Sequence, residues 1–372
     1  MMTMKTERKL KLGLIGCGGF GKFCLEAFSK MSEVEIFAVC DIDQKLVMET
    51  AKKYGATWYT KPENLIEDKK LDIVHIVTPP NTHFNLSSFA IQNRKHILCE
   101  KPLALSMRDA ETLINNAKQH NVIIPVNFIL RYVKIVEVVK NIIDSGILGN
   151  PLRAYFENYA ADEYMGPEHW FWNKKMSGGI FVEHGVHFFD LYNFWFGKAK
   201  ILWAHVEKRP ASNQEDRVFC FLSHESGVLS SHYHGFDQTK YLDRQIHKIL
   251  FEAGEIVVRG WIPEFITIKS ICDDKKVRKL KSICPPTHFE VLEKINPSKQ
   301  KMKGRGKSID AHQYILLEYR SKTSKLELYS QAIRNLLKDQ IKYIKDPNHN
   351  RIIKEENGLE ALKLALTAAN MN

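Results

Sequence analysis

Three stretches of the chain carry residue types at spacings that could do chemistry. The first is Gly16-x-Gly18-x-x-Gly21 in GLIGCGGFGK, directly after an apolar run and at the start of a helical pattern. Gly16 permits a tight turn, Gly18 lets the backbone approach a pyrophosphate, and Gly21 lets the helix pack closely on the strand. Unpaired N–H groups at the helix start then face the phosphates. Asp41 stands twenty residues after Gly21, at the end of the next apolar run, where a carboxylate can accept from both ribose hydroxyls. A 2′-phosphate at that spot would be repelled, so the pattern predicts NAD and disfavours NADP. Gly19, Phe20 and Ile42 belong to the same two turns and are expected cofactor contacts. Cys17, inside the loop, reads as a small apolar filler.

The second stretch is a pair of strand ends. IVHIVT ends in Thr78-Pro79-Pro80-Asn81-Thr82-His83, and HILC ends in Glu100-Lys101-Pro102. Ligands of open α/β sheets bind outside the carboxyl ends of the strands, and prolines fix such loops without using backbone donors. A lone lysine at a strand end is more often solvated than catalytic. Lys101, however, follows a strand whose end should lie beside the nicotinamide, and it precedes a rigidifying proline. The third stretch is Glu183, His187 and Asp190, at i, i+4 and i+7 of a helical pattern and so on one face. An imidazole that titrates near neutrality suits proton transfer from a hydroxyl. His184 points to another part of that helix and reads as a satisfied structural histidine. Glu183, His184 and His187 include zinc-type ligands, but no fourth ligand has recognisable spacing, so no metal is expected.

The elements that must hold these residues follow from periodicity. Strand-like runs at 10–16, 34–41, 56–59, 73–78, 96–99 and 123–127 alternate with helical segments at 22–30, 43–54, 84–93 and 106–121. That rhythm implies a parallel sheet covered on both faces. After residue 127 it changes. A helix at 133–145 and a strand at 152–159 precede a turn-rich aromatic stretch with Tyr155, Phe156, Tyr159, Tyr164, Trp170, Phe171 and Trp172. A helix from about 179 to 196 follows, with FFDLYNFWF read as buried core or subunit contact. Longer strand-like segments at 199–206, 217–222, 227–234, 244–251 and 255–259 come without intervening helices, which indicates a mostly antiparallel sheet. His232 and His234 alternate to one face there. Helices are expected at 324–345 and 359–369. The expected architecture is a doubly wound Rossmann domain over 1–127, an α+β domain with a large open sheet over 128–350, and a C-terminal helix over 351–372 packing back on the first domain.

Composition bounds the function classes. The chain has 372 residues, 44% of them hydrophobic and 26% charged, which excludes a disordered tail protein, a collagen and a small disulfide scaffold. No apolar run reaches the ~18 residues of a membrane span. The basic N-terminus is followed by an apolar stretch broken at Lys11 and Gly13, so no signal peptide is expected. Seven cysteines without a C-x-x-C pair point to reduced thiols in the cytoplasm. The net charge is +11, but from Asp274 to Lys307 eleven Lys/Arg face three Asp/Glu, a net +8, leaving +3 for the other 338 residues. The excess is one local tract, read as a solvated loop or strand edge rather than a nucleic-acid surface.

The pieces GLIGCGGFGK, VTPPNTHF, ILCEKPLA and SGGIFVEHGVHFFD, with YTKPENLIEDKKLDIVHIV between the early motifs, resemble the glucose–fructose oxidoreductase / inositol dehydrogenase / rhizopine-catabolism (Gfo/Idh/MocA) family. The likeness covers residues 10–260 and returns in ENGLEALKLALTAA. It implies an NAD-dependent oxidoreductase passing a hydride between nicotinamide and a secondary hydroxyl or ketone of a sugar, inositol or glycoside. It also implies that Lys101 is the active-site lysine with a cis Lys101–Pro102 bond, that His187 is the acid/base, and that Asn81 and His83 border the nicotinamide ribose. Asn127 and Arg131 would stand near cofactor and substrate. Glu183 departs from the family's usual Asp and would orient or assist His187. With Thr78, Pro79 and Glu100, these residues complete the expected cofactor contacts. Tyr159, Trp170, Trp172 and Lys174 join Lys101, Arg131, Glu183 and His187 as expected substrate contacts. Two other functions fit the same motifs: a redox-neutral lyase or glycosidase that oxidises a sugar carbon transiently, and a non-catalytic nicotinamide sensor. No nucleic-acid or membrane partner is expected, and the open sheet would pair subunits into a homodimer or homotetramer.

Overall fold

A computed structural model describes residues 8–162 and 165–371; Tyr164, among the aromatics above, lies outside them. The chain forms two units. Unit one combines the residues up to Ile129 with Asn173–Gly178 and Ser330–Lys363; unit two combines Leu130–Trp172 and Gly179–Tyr329 with the residues from Leu364 on.

In unit one, β1 (Leu10–Ile15), α1 (Gly19–Phe28), β2 (Val34–Cys40), α2 (Gln44–Tyr54), β3 (Thr57–Tyr59), α3 (Pro62–Ile66), β4 (Ile73–Ile76), α4 (His83–Gln92), β5 (His96–Cys99) and α5 (Met107–Gln119) alternate. The strands form a parallel sheet in the order β3-β2-β1-β4-β5. Local signals set the helix ends. Asp43 accepts from the Leu46 N–H and Ser106 from that of Asp109, while α2 stops at Gly55 with φ 64°. The strand expected at 123–127 shrinks to one bridge, Cys99 to Val126. Ile97 and Cys99 still donate to Ile123 and Pro125, and Asn127 donates to Cys99, but Pro125 has no N–H to return.

In unit two, α6 (Lys134–Ser145) and β6 (Pro151–Ala161) come first; the one-turn helix α7 (Lys174–Ser177) belongs to unit one. The helix expected from about 179 is interrupted: a π turn, Phe181–Gly185, precedes α8 (Val186–Phe196). Then come β7 (Ala199–Lys208), β8 (Glu215–His224), β9 (Leu229–Gln238), β10 (Arg244–Phe251), β11 (Gly254–Arg259) and β12 (Phe265–Cys272). The basic tract, expected as a solvated loop or strand edge, begins with a helix, α9 (Asp274–Ile283), and then supplies the exposed edge strand β13 (His288–Lys294) and a hairpin of β14 (Lys301–Gly304) and β15 (Lys307–Asp310). Asp273 caps α9 by accepting from Lys276, and Val277 and Leu280 give it a buried face; charge density had hidden that pattern. β16 (Gln313–Arg320), α10 (Lys325–Lys345) and α11 (Glu355–Ala369) complete the chain. The large sheet runs β13-β16-β12-β11-β10-β6-β9-β8-β7, antiparallel except for β6 beside β9.

Nearly all of α8 is buried. Phe188 stacks on Phe156 of β6 at 3.8 Å between ring centroids. His232 and His234 of β9, His247 of β10 and His224 of β8 are buried in the same layer. His224 and His232 share the Ser230 hydroxyl, and His247 reaches the Tyr192 hydroxyl at 3.4 Å. Burial pushes the pKa of both His234 and His247 down to about 3, so the folded layer is uncharged at neutral pH. In the first turns of α11, still within unit one, Glu355 accepts from the Ile124 N–H, and a Cβ at Gly358 would stand 2.6 Å from Val126.

The buried imidazoles predict acid lability with a definite sign. Unfolded, they bind protons from about pH 6.5 downward; folded, they do so only near 3. Stability therefore falls through that window as pH drops, by about 1.4 kcal/mol per pH unit for each such histidine. Thermal unfolding followed from about pH 7.5 to 5 should show a shallower acid loss in His247→Phe, which keeps an aromatic ring in the layer, than in the wild type. Equal slopes would show that His247 is charged in the folded state.

Candidate functional site

In unit one the expected cofactor residues gather on the carboxyl edge of the parallel sheet. The turn after β1 is drawn tight against its neighbours. A Cβ at Gly16 would stand 2.3 Å from the Val77 carbonyl oxygen, and one at Gly21 would stand 1.9 Å from the carbonyl oxygen of Gly16. Gly18 and Gly19 meet nothing within 4 Å, so backbone lies open there. No side chain caps α1 at Gly18 and its first turn holds no acid, which leaves that helix start suited to an anion. Asp41 is oriented at both oxygens, one accepting from the Cys17 N–H at 2.7 Å and the other from the Asp43 N–H at 3.0 Å. Ile42 beside it is 91% exposed, and Phe20 is half-buried. Burial, with Asp41 nearby, pushes the Cys17 thiol up to about 12, which suits a filler rather than a nucleophile. Open backbone at a helix start and a fixed carboxylate one strand away fit the pyrophosphate and a ribose of NAD.

The next two strand ends are tied to each other. After β4, the Thr78 and Thr82 hydroxyls are 2.6 Å apart, Thr82 donates to the Pro79 carbonyl, and Asn81 is exposed. His83 is fully buried. Its Nδ1 lies 2.7 Å from the Pro102 carbonyl oxygen and its Nε2 lies 2.9 Å from that of Thr78. Only an imidazolium can donate to both. Burial lowers its pKa, against the pull of the two carbonyls and Glu100. His83 braces these loops through its ring nitrogens. The bond between Lys101 and Pro102 is cis, and Lys101 is half-buried. Behind it, Glu100 Oε1 accepts from Asn127 Nδ2 at 2.6 Å and lies 3.1 Å from His75 Nε2. Cys24, His75 and Glu100 bring a sulfur, a ring nitrogen and a carboxylate oxygen within 4.8 Å of one another. The exposed Lys174 rides on α7, which packs against Pro80–Thr82.

Unit two holds the other expected residues. Glu183 and His187 are both buried. Glu183 lies inside the π turn, so its angular relation to His187 is not that of an uninterrupted α-helix. The turn starts where Gly179, with φ 88°, leaves room for Glu215; a Cβ there would meet Glu215 Oε2 at 2.4 Å, and that oxygen accepts from the Ile180 N–H. Asp190 accepts from Arg131 twice, at 2.9 Å and 2.7 Å, and both are buried. Burial raises the Asp190 pKa and Arg131 opposes it; the two-pronged geometry is that of a carboxylate and a guanidinium. Arg131 also lies 4.9 Å from the centre of the Phe194 ring. Trp172 is buried, donates its indole N–H to Met165 and is covered by Arg209; Trp170 and Tyr159 are half-exposed.

Two residues, Trp261 and His75, and one contact, between His184 and His234, escaped the sequence reading. Trp261 presents its ring to His187, centroids 5.0 Å apart, and also lies near His184 and Phe188. Its position after Gly260, with φ 96°, was the available signal. His184 Nδ1 lies 3.0 Å from His234 Nδ1; no local spacing links them. His75 was hidden inside an apolar strand.

Comparison with known proteins agrees with this geometry. The family described as an oxidoreductase family with an NAD-binding Rossmann fold matches residues 10–128, and its C-terminal domain matches residues 136–257. Myo-inositol 2-dehydrogenase of Thermotoga maritima is 28% identical over 194 residues, 51% of this chain and 55% of that protein. D-apiose dehydrogenase of Paraburkholderia graminis is 29% identical over 232 residues, 61% of each. The chain thus spans little more than half the length of these curated relatives. An oxidoreductase from Agrobacterium radiobacter, solved with NAD+, L-tartaric acid and magnesium, shares the fold at TM-score 0.74 and 19% identity, over 98% of both chains. On both matched domains, the chain belongs to the Gfo/Idh/MocA oxidoreductase family, and its first unit is that family's NAD-binding Rossmann domain.

Proposed function

We propose that the protein is an NAD-dependent dehydrogenase that oxidises a secondary hydroxyl of a sugar, inositol or glycoside, or reduces the matching ketone. One observation carries the reading. The glycine turn after β1, Asp41 after β2, Thr78–His83 after β4 and Glu100–Lys101 after β5 all leave the same edge of one sheet. A lysine there stands where the carboxyl edge receives a ligand. NAD supplies the hydride acceptor. The lysine ammonium stabilises charge developing on the substrate oxygen, and the His187 imidazole takes the hydroxyl proton. Glu183 orients that imidazole or holds a substrate hydroxyl. Arg131 acts through Asp190, and Trp261, Trp170, Tyr159 and Lys174 supply the faces and donors that a polyhydroxylated ring requires. The names of the relatives, inositol and apiose dehydrogenases, support this substrate class.

No helix among the described residues is long and apolar enough to cross a membrane. We place the protein in the cytoplasm, a reading supported by its seven buried free thiols. We also assign self-association to the outer face of the large sheet, where Leu202, Trp203, Phe221 and Leu229 are 56, 47, 40 and 53% exposed.

The test of the activity is a panel of polyols and sugars with NAD, read by the absorbance of reduced nicotinamide. Lys101→Ala and His187→Ala should each lower kcat by about 100-fold or more with NADH binding kept. Unchanged rates would remove both roles, and product release without net NADH would point to lyase chemistry. Asp41→Ala should cut the preference for NAD over NADP by about tenfold or more, measured as the ratio of kcat/KM values. Trp203→Glu with Phe221→Glu should reduce the mass found by light scattering to that of one chain; an unchanged mass would exclude this face as the interface.

A further inference from the structure

His75 lies in the middle of β4, between Val74 and Ile76, and is fully buried. Its ring packs 5.5 Å from that of Phe28. A histidine in such surroundings is costly unless it makes a hydrogen bond, and it makes one: Nε2 lies 3.1 Å from Glu100 Oε1, while the buried Nδ1 has no partner. That pattern makes Nε2 the donor to Glu100, since a proton on Nδ1 would be buried without an acceptor. Glu100 Oε1 thus receives two donors, His75 from β4 and Asn127 from the segment beside β5. Glu100 Oε2 receives none among the described residues, and the side chain adjoins Lys101 at the carboxyl edge.

We propose that His75 is a positioning residue of the cofactor site: with Asn127 it pins one oxygen of Glu100, so that the other is presented to the bound nicotinamide cofactor. This rests on reading Glu100 as a cofactor contact. A carboxylate on a flexible side chain that must be held before binding loses affinity when its holder is removed. The glutamine amide nitrogen can occupy nearly the place of His75 Nε2, whereas asparagine is too short to reach. The predicted order of NADH affinity is therefore wild type and His75→Gln together, then His75→Asn and His75→Leu together.

The experiment titrates NADH into the purified protein, following nicotinamide fluorescence, with thermal unfolding measured alongside. His75→Leu and His75→Asn should weaken binding by about tenfold or more, and His75→Gln should stay within about threefold of the wild type. Should His75→Leu not fold, the comparison of His75→Gln with His75→Asn carries the test. Wild-type affinity in His75→Asn, or a loss in His75→Gln as large as in His75→Asn, overturns the proposal. So does stoichiometric zinc in the wild type that vanishes in His75→Gln, because Cys24, His75 and Glu100 would then be held by metal. If the wild type itself binds no NADH, it is the cofactor reading that fails.

Discussion

The closest constraint in unit one is the distance between the first turn of α1 and the end of β1. With no room for even a Cβ between Gly21 and the Gly16 carbonyl, the helix start is pressed onto the sheet edge and its N–H groups point outward from it. Everything else on that edge is referred to this contact. Asp41 takes its orientation from the Cys17 N–H inside the turn, so the carboxylate and the glycine turn are tied together. Val77, whose carbonyl closes on Gly16, leads directly into Thr78 and the second loop. A substitution at Gly16 or Gly21 would therefore displace the open start of α1 and the Asp41 carboxylate together.

The two strand ends beyond it are joined by polar groups rather than by apolar packing. His83 connects the loop after β4 to the turn at Pro102, and Glu100 connects β5 to His75 and Asn127. Buried polar groups hold a geometry more narrowly than apolar ones because each must keep its partner. The residues around Lys101 are thus fixed in direction. Unit two uses the same device in the two-pronged pair of Arg131 and Asp190, which fixes α8 by a side chain three residues beyond His187.

Legibility followed the range of the interaction. The parallel sheet was readable because each strand is a local apolar run, and the glycine turn because its spacing is set within six residues. Lys101 and Asp41 were read from strand ends and His187 from helical spacing, both of which the local sequence marks. The sixth strand failed at Pro125, where one missing donor outweighs an apolar run. The helix over residues 274–283 failed because lysine and arginine dominate its composition, although Asp273, Val277 and Leu280 carry the cap and the buried face. His75, Trp261 and the contact of His184 with His234 could not be read locally. Their partners are 25, 74 and 50 residues away respectively (Glu100, His187 and His234), and only the register of the sheets brings them together.

The imidazoles of unit two show why such long-range groups matter for chemistry. Uncharged at neutral pH, His234 and His247 pack as aromatic rings among Phe156, Phe188 and Tyr192, yet each ring still holds polar atoms that water cannot reach. His184 faces this layer through His234, while His187, three residues on, faces Trp261. One stretch of chain thereby presents one histidine, itself half-exposed, to the buried His234 ring and another, itself buried, to a half-exposed aromatic. The π turn ahead of α8 alters the angular spacing at this point, so it sets which neighbour each histidine meets.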